Sequence, residues 1–429
     1  MTDSPARPIA GLRRNDDFLR LWAAQAVSLV GSQVTVLALP LTAVIVLHAT
    51  PLQVGALFAV QYAPYLLLGL PAGVWVDRLP RRPILIATDL ARTVVLLSVP
   101  AGFLLGHLSL GLLYAAALAA GALSLFFDVA HQSYLPALVE RDQLVGGNAR
   151  LQVTYSGARL AGPSLGGLLV QVVGGPLALV ADAASFLVSA ALLATIRRPE
   201  RTTAPPADRS GLVHGIGDGL RFVLRHRLLR PLAVTMAFGN LFDLFGMAQA
   251  ILALYAIREL RMSPATFGLA LAIANAGAVL GAVLNGRIVR RWGLGGVIAG
   301  SAVLPGLAVL ALPLATPATA LPVLAAALAV AWFSIAVFNV NQVSLRQALT
   351  PAEMQGRMNA TMRFIIWGTL PLGTLLGGAL GGTIGLRQTL LLAGAGSVIS
   401  YLPLLHPGIR RMRSIDAAGA PRMEGALDG

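Results

Sequence analysis

The sequence predicts an all-α membrane protein: twelve transmembrane helices in two six-helix halves of like orientation, a parallel repeat. Three observations predict it. Of its 429 residues 56% are hydrophobic and 12% charged, about half the charge of an ordinary soluble domain. Twelve apolar stretches, centred near residues 33, 64, 95, 122, 160, 186, 243, 276, 304, 332, 370 and 395, are each long enough to cross a bilayer, whose core of about 30 Å takes about 20 helical residues. Motifs also recur at a fixed offset. TPLQVG from Thr50 returns as SPATFG from Ser263, and Gly73, Asp77 and Arg78 return as Gly286, Arg290 and Arg291, 213 residues on. Asn148, Gly162, Gly166 and Gly167 return 211 residues on as Asn359, Gly373, Gly377 and Gly378. An even number of spans per repeat keeps both halves in one orientation, so the halves are 1–196 and 230–406, with a linker at 197–229 and a tail at 407–429.

The net charge of +14 follows topology and not a nucleic-acid surface. All 32 basic residues are arginine; with a cytoplasmic N-terminus, 26 fall on the cytoplasmic side, three outside (Arg258, Arg261, Arg387) and three in the membrane (Arg92, Arg159, Arg363). That asymmetry is the positive-inside pattern. Without cysteine there is no thiolate metal site or disulfide, and without lysine there is no phosphate-gripping Gly-x-x-x-x-Gly-Lys loop and no Schiff base. Neither a His-Glu-x-x-His zinc pair nor a Gly-x-Ser-x-Gly elbow occurs. The chain reads as a non-enzyme with no cofactor, no metal and no nucleic-acid partner.

The arginines at the start precede an apolar stretch, 22–47, too long for a signal-peptide core, so it stays as the first span. It carries Gln25, Ser28, Ser32 and Thr35 at 3-4-3 spacing, one helical face. In lipid such a face turns to protein or to a watery cavity; a substrate pathway and plain interhelical bonding both fit. The second span ends in GVWVDRLPRRP, an acid and three arginines within six positions. The third holds Asp89 and Arg92, the fourth Ser124, Asp128 and His131, the fifth Arg159 and the sixth Asp182. An ion pair of Arg159 with Asp128 or Asp182 fits as well as proton carriage. In the linker, Leu212, Ile216, Leu220 and Val223 recur at helical spacing opposite Arg221, Arg225 and Arg227; a helix lying on anionic lipid and a solvated linker helix fit equally. The seventh span places Asp243 near mid-membrane with Asn240 one turn before it, the tenth has Ser334 and Asn341, and the eleventh Arg363. Ionisable groups inside spans are costly and default to functional candidates.

In place and spacing, the loop after the second span resembles the signature of the major facilitator superfamily, and the resemblance covers nearly the whole chain. RNDDFLRLWAAQAVSLVGSQV, DVAHQSYLPALVERDQLVGGNARL and GPSLGG are similar to the bacterial branch of enterobactin exporters and macrolide efflux proteins. The resemblance implies the major facilitator fold, alternating access, and a cavity lined by the first, fourth, seventh and tenth spans. It implies that Gly73, Asp77, Arg78, Arg81 and Arg82 brace the closed cytoplasmic side, with Gly73 admitting a neighbouring helix closely. The family's second loop glycine is here Pro80. In the fifth span Gly162, Pro163, Gly166 and Gly167 resemble an exporter-associated Gly-Pro motif, for which close helix packing alone is the alternative.

The function expected is secondary export of an amphipathic or cationic small molecule, a drug, siderophore or other metabolite, in exchange for protons. The protein is expected as a monomer in the bilayer of a bacterial inner membrane, with both termini cytoplasmic. The expected pathway residues are Gln25, Ser28, Ser32, Thr35, Asp128, Arg159, Asn240, Asp243 and Asn341. The alternatives are an importer of small metabolites and a non-transporting receptor or assembly partner.

Overall fold

The computed structural model describes residues 12, 15–140, 143–197, 212–351, 354–410 and 412–413. The first half comprises α1 (Asp16–Leu41), continued by a π turn at Thr42–Val46, α2 (Pro51–Arg78), α3 (Arg81–Leu104), α4 (Leu110–Leu138), α5 (Leu144–Val173) and α6 (Gly175–Ala194). The linker contributes α7 (Leu212–Arg225). The second half comprises α8 (Leu229–Phe242), α9 (Met247–Leu254), α10 (Pro264–Trp292), α11 (Leu294–Ala311), α12 (Ala320–Leu349), α13 (Gln355–Thr383) and α14 (Leu386–Ile399). Among the described residues, eleven of the spans are long and apolar enough to cross a membrane. The twelfth, α5, is long enough at 30 residues, but Arg150, Arg159 and its glycines dilute its apolar content.

The repeated hexapeptide has a local cause. In TPLQ, Thr50 Oγ1 accepts from the Gln53 amide at 3.3 Å while the Thr50 amide donates to Gln53 Oε1 at 2.8 Å, a capping box with Pro51 at the first helical position. In SPAT, Ser263 Oγ accepts from the Thr266 amide at 3.2 Å and Pro264 takes the first position. Both sequences satisfy orphan amides where a span begins, so α2 and α10 start alike.

The halves meet most extensively along two pairs of helices, α2 with α13 and α5 with α10, and α9 also touches α2. The repeated glycines make these crossings possible. A Cβ at Gly167 would lie 2.4 Å from the Pro264 carbonyl, and one at Gly378 would lie 2.6 Å from the Pro51 carbonyl. Within each half the companion glycines do the same: Gly162 against Gln33 of α1 and Gly373 against Leu241 of α8, at 2.3 and 2.4 Å. Only hydrogen fits at these points.

The seventh span departs from the single helix expected. It breaks at Asp243, which caps α8, and resumes as α9 after Gly246. Asp243 Oδ1 accepts from the Phe245 amide at 2.9 Å, a turn in which a side chain replaces a backbone partner. At Gly246 a Cβ would stand 2.2 Å from the Asn240 carbonyl, so the turn closes only over glycine.

Two further features set the halves apart from a generic bundle. In the first half the buried Arg92 pairs with Asp89, and its guanidinium lies between the rings of Phe127 and Phe186, 4.3 and 4.1 Å from their centroids. This ties α3 to α4 and α6. In the linker, Val223 is buried in a cluster with Leu229, Ala233, Met358 and Met362, so this part of α7 packs on the second half while Arg221, Arg225 and Leu220 remain exposed. The side chains of Leu212 and Ile216 lie outside the described residues.

Candidate functional site

The bundle has two ends, the arginine face, where α1 begins, and the opposite far face. Contacts between the halves gather at the far face and the middle. Arg258 donates to the Val44 and Ala49 carbonyls at 3.2 and 2.8 Å, and Gln171 Oε1 accepts from the Ala265 amide at 3.2 Å. Deeper in, Tyr62 and Gln249 share a hydrogen bond of 3.1 Å and Asn275 donates to the Arg159 carbonyl at 2.7 Å. Tyr65 stacks on Trp367 with centroids 4.5 Å apart. On the arginine-face side of these contacts lie two cavities, one against each half.

The cavity of the second half has a volume of about 430 Å³ and is lined from α8, the break in the seventh span, α11, α12, α13 and α14, with Tyr62 of α2 reaching in from the first half. Asn240 and Asp243 both line it. Asn240 also donates to the Ile366 carbonyl at 3.3 Å. Asp243 is 7% exposed and lies 14 residues from the start of α8, about 21 Å at 1.5 Å per residue. Its described partner is the Phe245 amide, and among the described residues no ion pair reaches it. A carboxylate at a helix break in the middle of the bundle, with spare lone pairs, is suited to hold a cation or a proton.

The cavity of the first half has a volume of about 760 Å³ and lies between α1, α4 and α5, lined by Gln25, Asp128, His131 and Gln132 among others. Asp128 accepts from the Tyr65 hydroxyl at 3.3 Å. Gln25 Oε1 and His131 Nε2 are buried without partners, two polar atoms for which a solute or water is the natural partner.

Several expected pathway residues point elsewhere. The polar stripe of α1 does not act as one face: Thr35 donates to Asp182, and Gly31, between Ser28 and Thr35, abuts Ser185, so that part of the stripe packs on α6. Ser28 is buried and Ser32 half-buried, and neither lines these cavities. Asn341 donates to Asn285 Oδ1 at 2.6 Å and the Val337 carbonyl at 2.8 Å; it binds α10, and Asn339, Gln342 and Arg346 line the cavity instead. A 100° turn per residue separates these outcomes. Arg159 pairs with neither Asp128 nor Asp182. Its guanidinium lies 4.6 Å from the Trp332 ring centroid and 5.6 Å from that of Tyr155, a cation held across the interface by aromatic faces.

The described contacts of the loop after α2 lie within its own half. Among the described residues, nothing lies within 4 Å of a would-be Cβ at Gly73. Arg82 donates to the Leu193 and Ala194 carbonyls at 3.0 and 2.5 Å, closing the end of α6 within its own half. Arg78 is exposed and Arg81 buried; the Asp77 side chain lies outside the described residues. Of the Gly-Pro motif, Gly162 and Gly166 meet α1 while Gly167 and Pro163 meet Gly268 of α10.

Sequence reasoning missed Tyr62, Tyr65 and Trp367, the aromatic floor between the cavities, and Arg346, which it assigned to topology alone. The repeat offset holds a signal for Arg346. It pairs Asp128, His131 and Leu135, which line one cavity, with Asn339, Gln342 and Arg346, which line the other.

The profile of the family described as Transmembrane secretion effector, within the major facilitator superfamily, matches residues 6–427. The chain belongs to this family. The transporter is 27% identical over 374 residues to the Multidrug efflux pump Tap of Mycolicibacterium fortuitum, covering 83% of this chain and 87% of that one. It is 28% identical over 404 residues to the Enterobactin exporter EntS of Salmonella choleraesuis (strain SC-B67), covering 92% of each. Its fold is that of a bacterial homolog to the human lysosomal transporter Spinster, solved in an inward-facing and unoccupied conformation, with a TM-score of 0.72 at 14% identity over 97% of this chain and 100% of that one. The transporter is thus a multi-pass membrane protein of the major facilitator kind, with efflux pumps among its relatives, and not an enzyme.

Proposed function

We propose that the transporter exports an amphipathic or cationic small molecule across a bacterial cytoplasmic membrane by alternating access, in exchange for protons. The observation that carries this reading is Asp243: an acid at a break in the seventh span, in the cavity of the second half, with no arginine paired to it among the described residues. Proton and cation compete for one carboxylate there, which is the physical content of exchange. The positive-inside pattern puts the arginine face and both termini in the cytoplasm, so the conformation described, sealed at the far face, is the one that loads. The relatives named as a multidrug efflux pump and an enterobactin exporter support the direction. The protein is read as acting as a monomer.

In the opposite state the loop Gly73, Asp77, Arg78, Arg81 and Arg82 closes the cytoplasmic side, and the open space at Gly73 is where the other half arrives. The glycines of the Gly-Pro motif let the far face close by bringing backbone to backbone.

The test uses purified protein in liposomes with an acid interior and ethidium outside. Protein whose arginine face points outward is expected to concentrate the dye as protons leave. Asp243→Asn keeps shape and hydrogen bonding and is expected to insert normally but to concentrate ethidium at less than a tenth of the parent rate. Concentration at the parent rate by Asp243→Asn would make Asp243 structural, and dye movement by the parent indifferent to the gradient would remove proton exchange.

A further inference from the structure

Asp243 and Arg346 are the two charged residues lining the second-half cavity, and they are opposite in sign. Arg346 is 7% exposed, and its Nε and Nη1 are buried with no hydrogen-bond partner. A buried guanidinium without a counter-ion is among the costliest groups a fold can carry, and topology does not require it, because an exposed arginine sets orientation equally well. Two other residues lining the same cavity, Gln342 one turn before Arg346 on α12 and Thr235 on α8, share the condition. Thr235 is 4% exposed with Oγ1 unpartnered, and Gln342 is 2% exposed with Oε1 unpartnered. Along their helices the three lie at similar depth, about 5 to 10 Å from the arginine-face ends, whereas Asp243 lies about 21 Å in.

We infer that Arg346, Gln342 and Thr235 form a subsite for an acidic group, and that the molecule this cavity takes is amphoteric, with a cationic end toward Asp243 and a carboxylate or similar anion at Arg346. The guanidinium and the Thr235 hydroxyl donate to the anion, and Gln342 Oε1 accepts from a neighbouring O–H or N–H of the same molecule. Charge-assisted bonds of this kind are roughly twice as strong as neutral ones, and the apolar remainder of the cavity, Met236, Ile335 and Phe338 included, favours a largely hydrocarbon body between the two ends. The position equivalent to Arg346 in the first half is Leu135, so the subsite belongs to one wall only. The inference deepens the export reading by naming the substrate's charge pattern, but binding alone tests it.

The experiment measures binding of rhodamine B, which carries a free carboxylate and a cationic ring system, and of its ethyl ester, which keeps the cation and lacks the acid. Dye anisotropy is read on the full-length protein in nanodiscs without a gradient. The parent is expected to bind rhodamine B about tenfold more tightly than the ester. Arg346→Gln should erase that preference by weakening rhodamine B while leaving the ester within about twofold. Arg346→Lys should retain part of it, since a point charge replaces the planar fork, and Thr235→Val should reduce it severalfold, so the test stands even where Arg346→Gln yields no monodisperse protein. Equal or negligible binding of both dyes by the parent, or an unchanged preference in Arg346→Gln or Thr235→Val, would overturn the subsite. Failure of dye transport with the preference intact would count against the export reading alone.

Discussion

The inner walls of the two halves descend from the same pattern yet present opposite chemistry. Where the first half lines its cavity with Asp128, His131 and Leu135, the second places Asn339, Gln342 and Arg346 at the matching positions. The crossings behind those walls are instead alike: Gly167 packs on α10 as Gly378 packs on α2, and Gly162 on α1 as Gly373 on α8. Scaffold contacts demand the absence of a side chain, so both copies keep glycine. Cavity positions only need to be reached by solvent or solute, and they are free to differ.

The strongest way to break this contrast is to load the crossings. Gly167→Leu and Gly378→Leu each force a side chain onto a backbone carbonyl that cannot step aside, and overpacking of that kind costs about 1–3 kcal/mol or more. Both are expected to lose most of the folded protein by size-exclusion profile, and to similar extents. Gly73→Leu adds its side chain where nothing stands within 4 Å, so folded yield is expected to match the parent while transport falls, the arginine face being unable to close. Normal yield in Gly167→Leu would show that the crossing is looser than the geometry requires.

The second contrast is between the acids. Asp128 accepts from Tyr65 and lies within Coulombic reach of Arg92 and Arg363, whereas Asp243 has a backbone amide and, among the described residues, no cation paired to it. Asp128 is therefore already balanced by the protein. Asp128→Asn is expected to lower ethidium transport only about threefold, against a loss of tenfold or more for Asp243→Asn, measured side by side. Equal losses would mean that both walls handle the exchanged cation.

The smallest expected effect concerns the far-face latch. Arg258 holds two carbonyls of the other half, and being part-exposed it contributes about 1 kcal/mol, a roughly fivefold shift in a two-state ratio. In Arg258→Ala, cysteines placed behind the far-face crossing should label about fivefold faster. Unchanged labelling would assign closure to the glycine crossings alone.

Much of this architecture is legible in the sequence because the bilayer reads sequence coarsely. Spans follow from apolar length, the repeat from glycine spacing, and the starts of α2 and α10 from TPLQ and SPAT. What fails is finer than one helical turn. Asn341 and Gln342 are adjacent polar residues on α12, and which one meets the cavity depends on a rotation that hydropathy does not encode. The break at Asp243 is hidden because its signals, an aspartate and a glycine three residues on, are ordinary in any loop and look out of place only once the segment is known to lie mid-membrane. Arg346 was masked by its own company, near a helix end where arginines are expected to mark topology.

The Asp89–Arg92 pair between two phenylalanine rings has a mechanical consequence. It rivets three helices of the first half at mid-depth, and breaking it would strand a buried charge. Among the described residues the second half has no such rivet: the offsets that relate the halves bring Asp89 and Arg92 to residues 300–305, where Gly300, Ser301 and Leu304 stand among others, and its seventh span is interrupted besides. The two halves therefore differ in stiffness. During a transport cycle the first half serves as the anvil, and deformation concentrates in the second, so slow amide exchange should persist through α3, α4 and α6 while α8 and α9 exchange with each turnover.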